Sequence, residues 1–376
     1  MSPGSPDVIV IGAGIVGAAC AYELARDKFR VTIIDGHGIA TGTTGAGMGH
    51  VVVMDDSEAQ LLLTRYSQTL WDALFEEFPS SFSLEKIGTI WVAADEEEAI
   101  AMRRKSSFYT RQGIENYVLG RRELEEAEPH LRKGLFGGLL VPQDSVLYPP
   151  EAAAFLLQKA CEAGAMTYFG KSVSSIRKQI TELADGTRFH APTIVNAAGQ
   201  RAAELTPGIE VVPRKGHLVI TDRYPGTVHH QLVELGYVKS AHTLTEDSVA
   251  FNVQPRKTGQ LLIGSSRQTG VTDSDVDPPI LSKMLNRAFE FMPELAHLSA
   301  IRVWTGFRSA TPDKLPLIGP WEKDSSIFLA VGHEGLGITT SLATGRLIAD
   351  SLLGRTPVIP SEPYLPSRPF KAGVLV

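Results

Sequence analysis

The feature that most restricts how this chain can fold lies near its start, where a short apolar strand breaks into a glycine turn and a helix follows at once. Asp7-Val-Ile-Val-Ile-Gly12 is a run of β-branched residues ending in glycine, as in a strand buried on both faces of a parallel sheet. Gly12-Ala-Gly14-Ile-Val-Gly17 comes next, and Ala18 to Arg26 continues with helical apolar spacing. A second strand, Arg30 to Ile34, ends in Asp35. Each part has a physical task. Gly12 permits the tight turn, Gly14 lets a pyrophosphate approach the backbone, and Gly17 lets helix and strand pack closely. The open helix end offers N–H groups and a positive dipole to phosphate. Asp35, 18 residues past Gly17, is placed to accept hydrogen bonds from the ribose hydroxyls of a dinucleotide.

The next loop bears on which dinucleotide. Gly42-Thr43-Thr44-Gly45-Ala46-Gly47-Met48-Gly49-His50 is a run of small and hydroxyl side chains that expose backbone amides, suiting a second pyrophosphate and ring contact. Val51 to Met54 reads as an apolar strand that holds the loop in place.

Further along, helices are expected over Ser57 to Phe78, Asp95 to Gln112, Tyr148 to Glu162 and Ile338 to Leu353. Buried strands are expected at Gly88 to Ala93, Ile194 to Asn196 and Ile327 to Val331. Residues 211–264 change character, with short strands between turn residues that suggest an antiparallel sheet. The layout implied is two interleaved domains, with a Pro-rich end, Pro357 to Pro369, as an extended strap. Cys20 is expected on the packed side of the first helix and Cys161 in the core; the charge runs Glu96 to Glu98 and Arg121 to Glu126 are expected to be solvated faces.

Composition narrows the class. With 376 residues, 43% hydrophobic and 21% charged, the chain has material for about two domains and is neither disordered nor fibrous. A net charge of -6 leaves no basic footprint for nucleic acid. Two cysteines are too few for a disulfide framework, a structural zinc site or an iron–sulfur cluster of the chain's own. Met1 to Pro6 lacks the features of a signal peptide, and the apolar runs fall far below the ~20 residues of a transmembrane segment. A cytoplasmic enzyme is expected.

On these motifs the chain resembles the D-amino-acid-oxidase-like FAD oxidoreductases, the group of glycine oxidase, sarcosine oxidase and the flavin subunits of amino-acid dehydrogenases. Within the group it looks most like the flavin subunit of hydrogen cyanide synthase and the D-hydroxyproline dehydrogenase β subunits. The stretches that carry the likeness are Val8 to Asp35, Thr43 to Gly49, Val195 to Gly199, Gly306 to Gly319 and Gly332 to Gly337. The implied fold is α/β plus β, a Rossmann-type FAD-binding domain (1–85, 140–215 and 300–376) with an interleaved antiparallel-sheet substrate domain (86–139 and 216–299).

The resemblance implies that FAD is held non-covalently by Gly12, Gly14, Ile15, Gly17, Asp35, Gly36, Thr43, Thr44, Gly47, Met48, Gly49, Val173, Gly332, His333, Gly335, Leu336, Gly337 and Ile338. Arg308 matches the arginine that binds the substrate carboxylate, a task that suits a planar, permanently charged fork. The chain departs from the group at two places. Gly335 stands where glycine oxidase has a second arginine, and Asn252 stands where relatives have a capping tyrosine, with Tyr237 as a substitute from the neighbouring loop. Leu262 occupies the region of sarcosine oxidase's oxygen-activating lysine, which hints at a dehydrogenase. The expected activity is oxidation of a small amino or imino acid at its Cα–N bond by hydride transfer to flavin N5. A D-hydroxyproline or D-proline dehydrogenase heads the candidates; a glycine or sarcosine oxidase using oxygen and an opine-oxidising flavin subunit are the alternatives. His50 and His333 are the candidate catalytic groups, as imidazoles near the flavin that accept the amine proton. A dehydrogenase of this kind passes electrons to partner subunits with an iron–sulfur or second flavin centre.

Overall fold

The computed structural model of the chain describes residues 5–236 and 247–370. The chain divides into two compact units, each assembled from separated segments. The first comprises Met1–Ser83, Leu147–Pro213 and Phe307–Val376; the second comprises Leu84–Val146 and Arg214–Gly306. The crossings differ from the expected ones by up to seven residues. They fall inside the strands Ser145–Leu147, Val212–Arg223 and Ala300–Ala310, where sequence reading looks for turns instead.

In the first unit, Val8–Ile11 lies at the middle of a six-stranded sheet. It is flanked on one side by Val31–Asp35 and Met166–Phe169, on the other by Thr193–Asn196, Asp324–Val331 and Leu317–Trp321. Every neighbouring pair is parallel except the last, which is antiparallel. Such strands are buried on both faces, which is why the sequence shows unbroken β-branched runs in place of alternation. On one face Ile9, Ile11, Ile194, Ile327 and Leu329 pack against Val173, Ile176 and Leu183 of a small three-stranded sheet, Val173–Arg177, Ile180–Leu183 and Arg188–His190. The first helix, Ile15–Arg26, packs against Pro149–Glu162 and against the last helix, Gly337–Leu353, which also touches Glu58–Glu77. Gly345 permits the close crossing of first and last helices, since a Cβ there would meet the Ala19 carbonyl oxygen at 2.6 Å.

The Pro-rich end is a strap with a short turn, Glu362–Tyr364. Tyr364 is buried and donates to the Ala59 carbonyl at 2.6 Å, and burial raises its phenol above its ordinary range. Arg368 grips Asp313 through two hydrogen bonds, of 2.7 and 2.9 Å, and donates to the Pro316 and Leu315 carbonyls, all nearly buried.

The second unit is a twisted sheet. Its strands run in the order Ala300–Ala310, Val212–Arg223, Gln260–Thr269, Ser248–Pro255, Gln231–Glu234, Thr89–Ala93, Gly137–Val141 and Tyr117–Leu119. The pairing is largely antiparallel as expected, but Gln231–Glu234 runs parallel to Thr89–Ala93. One face is covered by the helix Pro278–Phe291, which the sequence reading passed over although Asp277 caps it and two prolines open it. Phe291 stacks on Phe251 at 4.5 Å between ring centroids.

Three local expectations need correction. Cys161 is exposed, because the last turn of its helix faces outward, whereas Cys20 is buried and its thiol is pushed up to about 12 by burial. The strand expected from Val51 to Met54 is only His50–Val51. Within the acidic run, Glu98 turns inward and accepts from Ala94 N–H at 2.7 Å. No helix among the described residues is long and apolar enough to cross a membrane.

Candidate active site in the first unit

Gly12 carries φ +110°, and a Cβ there would sit 2.4 Å from the Ala197 carbonyl oxygen. A Cβ on Gly17 would meet the Gly12 carbonyl oxygen at 2.0 Å, so helix and turn are in backbone contact. Around Gly14, by contrast, only the Thr44 hydroxyl lies within 4 Å of a notional Cβ, at 3.0 Å. The helix that starts at Ile15 has an extended Gly14 before it, no capping side chain on that residue and no acid in its first turn. Its positive end is therefore left for an anion.

Asp35 is the hub of this turn. Its Oδ2 accepts from Ala13 N–H at 2.8 Å, and its Oδ1 accepts from His37 and Gly38 N–H at 2.8 and 3.0 Å. A carboxylate has about four lone-pair positions, so Asp35 both fixes the two turns and keeps room for about one hydroxyl donor. Gly36 is pressed against Ser172, where a Cβ would meet the hydroxyl at 2.7 Å, which brings Val173 beside the same turn.

The second glycine loop is tied down at both ends. Thr44 Oγ1 accepts from Ile15 N–H at 2.9 Å, so its hydroxyl serves the first helix directly. Thr43 Oγ1 donates to the Phe307 carbonyl at 2.6 Å, next to Arg308. Gly47 approaches Ile338, whose methyl would lie 3.0 Å from a Cβ, and Met48 is buried. Gly49 O accepts from Leu147 N–H at 2.8 Å. The His50 carbonyl accepts from Thr339 Oγ1 at 2.9 Å, joining the loop to the last helix.

That helix begins at Gly337 after Leu336, again with no side-chain cap and no acid in its first turn. The loop before it starts at Gly332, φ +79°, which fits against the Thr311 methyl. His333 and Glu334 pair with Ala310 and Ser309 of the strand that carries Arg308. Arg308 is half-buried, and a Cβ on Gly335 would lie 3.6 Å from its Nε and 3.7 Å from its Cδ. Gly335 thus gives the Arg308 stem its berth. Glu334, at φ +51°, folds its carboxylate back onto Gly335 N–H.

His333 sits deep in this loop. Its imidazole is buried with Nε2 2.9 Å from Thr344 Oγ1, and burial depresses its pKa to about 3. It is neutral near pH 7 and positions the loop. His50 is half-buried at the end of the glycine loop. In the second unit, Asn252 is buried in the middle of its strand. Tyr237 lies outside the described residues. Sequence reading missed the anchors Phe307, Thr339 and Thr344. The hydroxyls Thr339 and Thr344 sit on a Thr-rich helix start, but nothing local marks their partners, which lie up to 289 residues away.

These residues define a flavin-type nucleotide cradle. Two helix ends without an acid in their first turns, a glycine turn closed by Asp35 and a hydroxyl-rich loop fit FAD. The model of the family described as FAD dependent oxidoreductase matches residues 7–351, and the chain belongs to that family. It is 30% identical over 360 residues to the glycine oxidase of Geobacillus kaustophilus, covering 92% of each chain. It is 27% identical over 424 residues to hydrogen cyanide synthase subunit HcnC of Pseudomonas aeruginosa, covering 98% of each. The crystal structure of the Geobacillus kaustophilus glycine oxidase superposes with a TM-score of 0.88 at 28% identity, over 98% of this chain and all of that one. The protein is an FAD-dependent oxidoreductase of the amino-acid-oxidase type.

Proposed function

We propose that the chain oxidises an imino acid of the D-proline class, D-hydroxyproline first among the candidates, at its Cα–N bond, and that it does so as a dehydrogenase. The observation that carries this reading is Arg308 in its berth beside Gly335, on a strand paired with the loop that leads into the last helix. A guanidinium fork so held binds a carboxylate bidentately and fixes Cα in place. The uncapped end of the last helix stabilises negative charge that develops beside it. When bound, FAD supplies the two-electron acceptor for the hydride. His50 takes the proton of the substrate nitrogen, since burial holds the basicity of His333 low and Thr344 engages its Nε2.

Leu262, buried and uncharged, offers no cation to activate oxygen, which favours a dehydrogenase. Its electrons then leave through a partner subunit with an iron–sulfur or second flavin centre, because neither Cys20, which is buried, nor the lone exposed Cys161 can build one. Neither cysteine belongs to the loops around the cradle, so the flavin is bound non-covalently. Two free thiols suit the reducing cytoplasm. A glycine or sarcosine oxidase is the second reading, favoured by the likeness to glycine oxidases.

An anaerobic screen of the yellow protein against D- and L-proline, both D-hydroxyproline diastereomers, glycine, sarcosine and opines tests it. Bleaching by the D-imino acids, with slow recovery in air and fast recovery with an artificial acceptor, is the expected result. Bleaching by glycine or sarcosine alone, with rapid recovery in air, would establish the second reading instead.

A further inference from the structure

We infer that Arg368, on the Pro-rich strap, is a positioning residue for the loop 332–337 and for the Arg308 stem, acting through the turn 311–316. This rests on the assignment of that loop to the flavin and of Arg308 to the substrate carboxylate. Strap, turn and loop all belong to the first unit.

The turn joins the strand Ala300–Ala310 to the strand Leu317–Trp321. Ala310 at its entry pairs with His333, and Leu317 at its exit pairs with Val331. The turn therefore runs past Gly332, the one residue between those two partners. A Cβ on Gly332 would meet the Thr311 methyl at 2.6 Å, the Leu317 nitrogen at 3.7 Å and the Pro316 Cα at 3.8 Å. In packing this close, the start of the loop moves only if the turn moves with it. From there the constraint reaches Arg308 by two routes. Glu334 pairs with Ser309, next to Arg308, and Gly335 lies against the Arg308 stem.

Arg368 is the group on which the turn is moulded. A guanidinium has five N–H donors, and here each has an acceptor. Nε and Nη2 donate to the two oxygens of Asp313 at 2.7 and 2.9 Å, and Nη2 donates again to the Leu315 carbonyl at 2.7 Å. Nη1 donates to the Pro316 carbonyl at 2.9 Å and to the Leu365 carbonyl of the strap at 3.2 Å. Four of the five bonds thus end on the turn. The Leu315 carbonyl also accepts from Thr311 Oγ1 at 2.7 Å, which links the guanidinium to the side chain that Gly332 packs against. The strap has a separate anchor in Tyr364, bonded to the Ala59 carbonyl, so holding the strap down does not require this convergence on one turn. A lysine ammonium offers three donors from one point and cannot reproduce a planar fork with five.

The test compares Arg368→Ala and Arg368→Lys with the wild type and with Phe251→Ala, a core truncation in the second unit that weakens the fold elsewhere. Each protein, stripped of flavin and shown folded by circular dichroism, is titrated with FAD. The FAD-loaded form is then titrated with pyrrole-2-carboxylate, its binding read from the flavin absorption. Both Arg368 variants should bind each ligand about tenfold more weakly than the wild type. Millimolar guanidinium should restore affinity to Arg368→Ala and leave Arg368→Lys unchanged. Arg368→Lys, which keeps the charge, supplies folded protein if Arg368→Ala does not. FAD affinity equal to that of the wild type, or weakened no more than in Phe251→Ala, would overturn the inference. Arg308→Ala separates it from the carboxylate assignment: if that variant binds pyrrole-2-carboxylate as the wild type does, the assignment falls, and FAD affinity alone decides the role of Arg368.

Discussion

The nucleotide cradle of the first unit and the strand face of the second are built in opposite ways. The cradle is made of backbone: Gly12, Gly17 and Gly345 are places where a carbonyl oxygen stands within 2.6 Å of any added Cβ, and the helix ends present main-chain N–H groups. The strand face is made of side chains, with Trp91, Gln231 and Asn252 set by the register of three strands. A backbone site tolerates no extra atom and scarcely varies in chemistry. A side-chain surface is re-specified by one substitution.

The largest effect expected from that contrast is at Gly17. Gly17→Val should yield protein without the yellow flavin chromophore, or none that folds, because its Cβ would overlap the Gly12 carbonyl; purification with full flavin content would break the comparison. Next come losses of packed side chains, one in each unit. Arg368→Ala strands the buried Asp313 carboxylate and should cost about 3–5 kcal/mol in thermal or denaturant unfolding. Phe251→Ala should cost about as much by opening a cavity beside Phe291.

Arg308→Ala should raise the substrate dissociation constant on the order of a hundredfold through loss of a bidentate ion pair, with flavin content unchanged. Unaltered affinity would refute the carboxylate assignment.

The most gradual effect concerns pH. His333 resists protonation when folded (pKa about 3) but takes a proton near its ordinary value once unfolded, so its contribution to stability is present above about pH 6.5 and lost as pH falls toward 3. The slope approaches about 1.4 kcal/mol per pH unit in that window. His333→Gln should flatten it, and an unchanged slope would show that the imidazole is not the group responsible.

Much of the cradle was legible because its determinants are contiguous: strand, glycine turn, helix, strand and Asp35 follow within about 30 residues. The second carboxylate role of Asp35, pinning Ala13, His37 and Gly38, was not legible, since a carboxylate's donors are known only once both turns are placed. His333 shows the same limit from the other side. Its position in a glycine loop marks it as a candidate, and only the fold reveals its burial against Thr344. The helix Pro278–Phe291 did carry a signal, Asp277 before two prolines, and was passed over beside a run of strands.

By itself, then, the order of residues determined most of the elements and the dinucleotide turn, both matters of local pattern. Folding decided what meets what: that Gly335 makes room for Arg308, that Thr43 ties its loop to Phe307 across 264 residues, and that Asn252 and Gln231 turn to one face. Such contacts depend on register and packing between distant segments, and no local property of the chain encodes a distance.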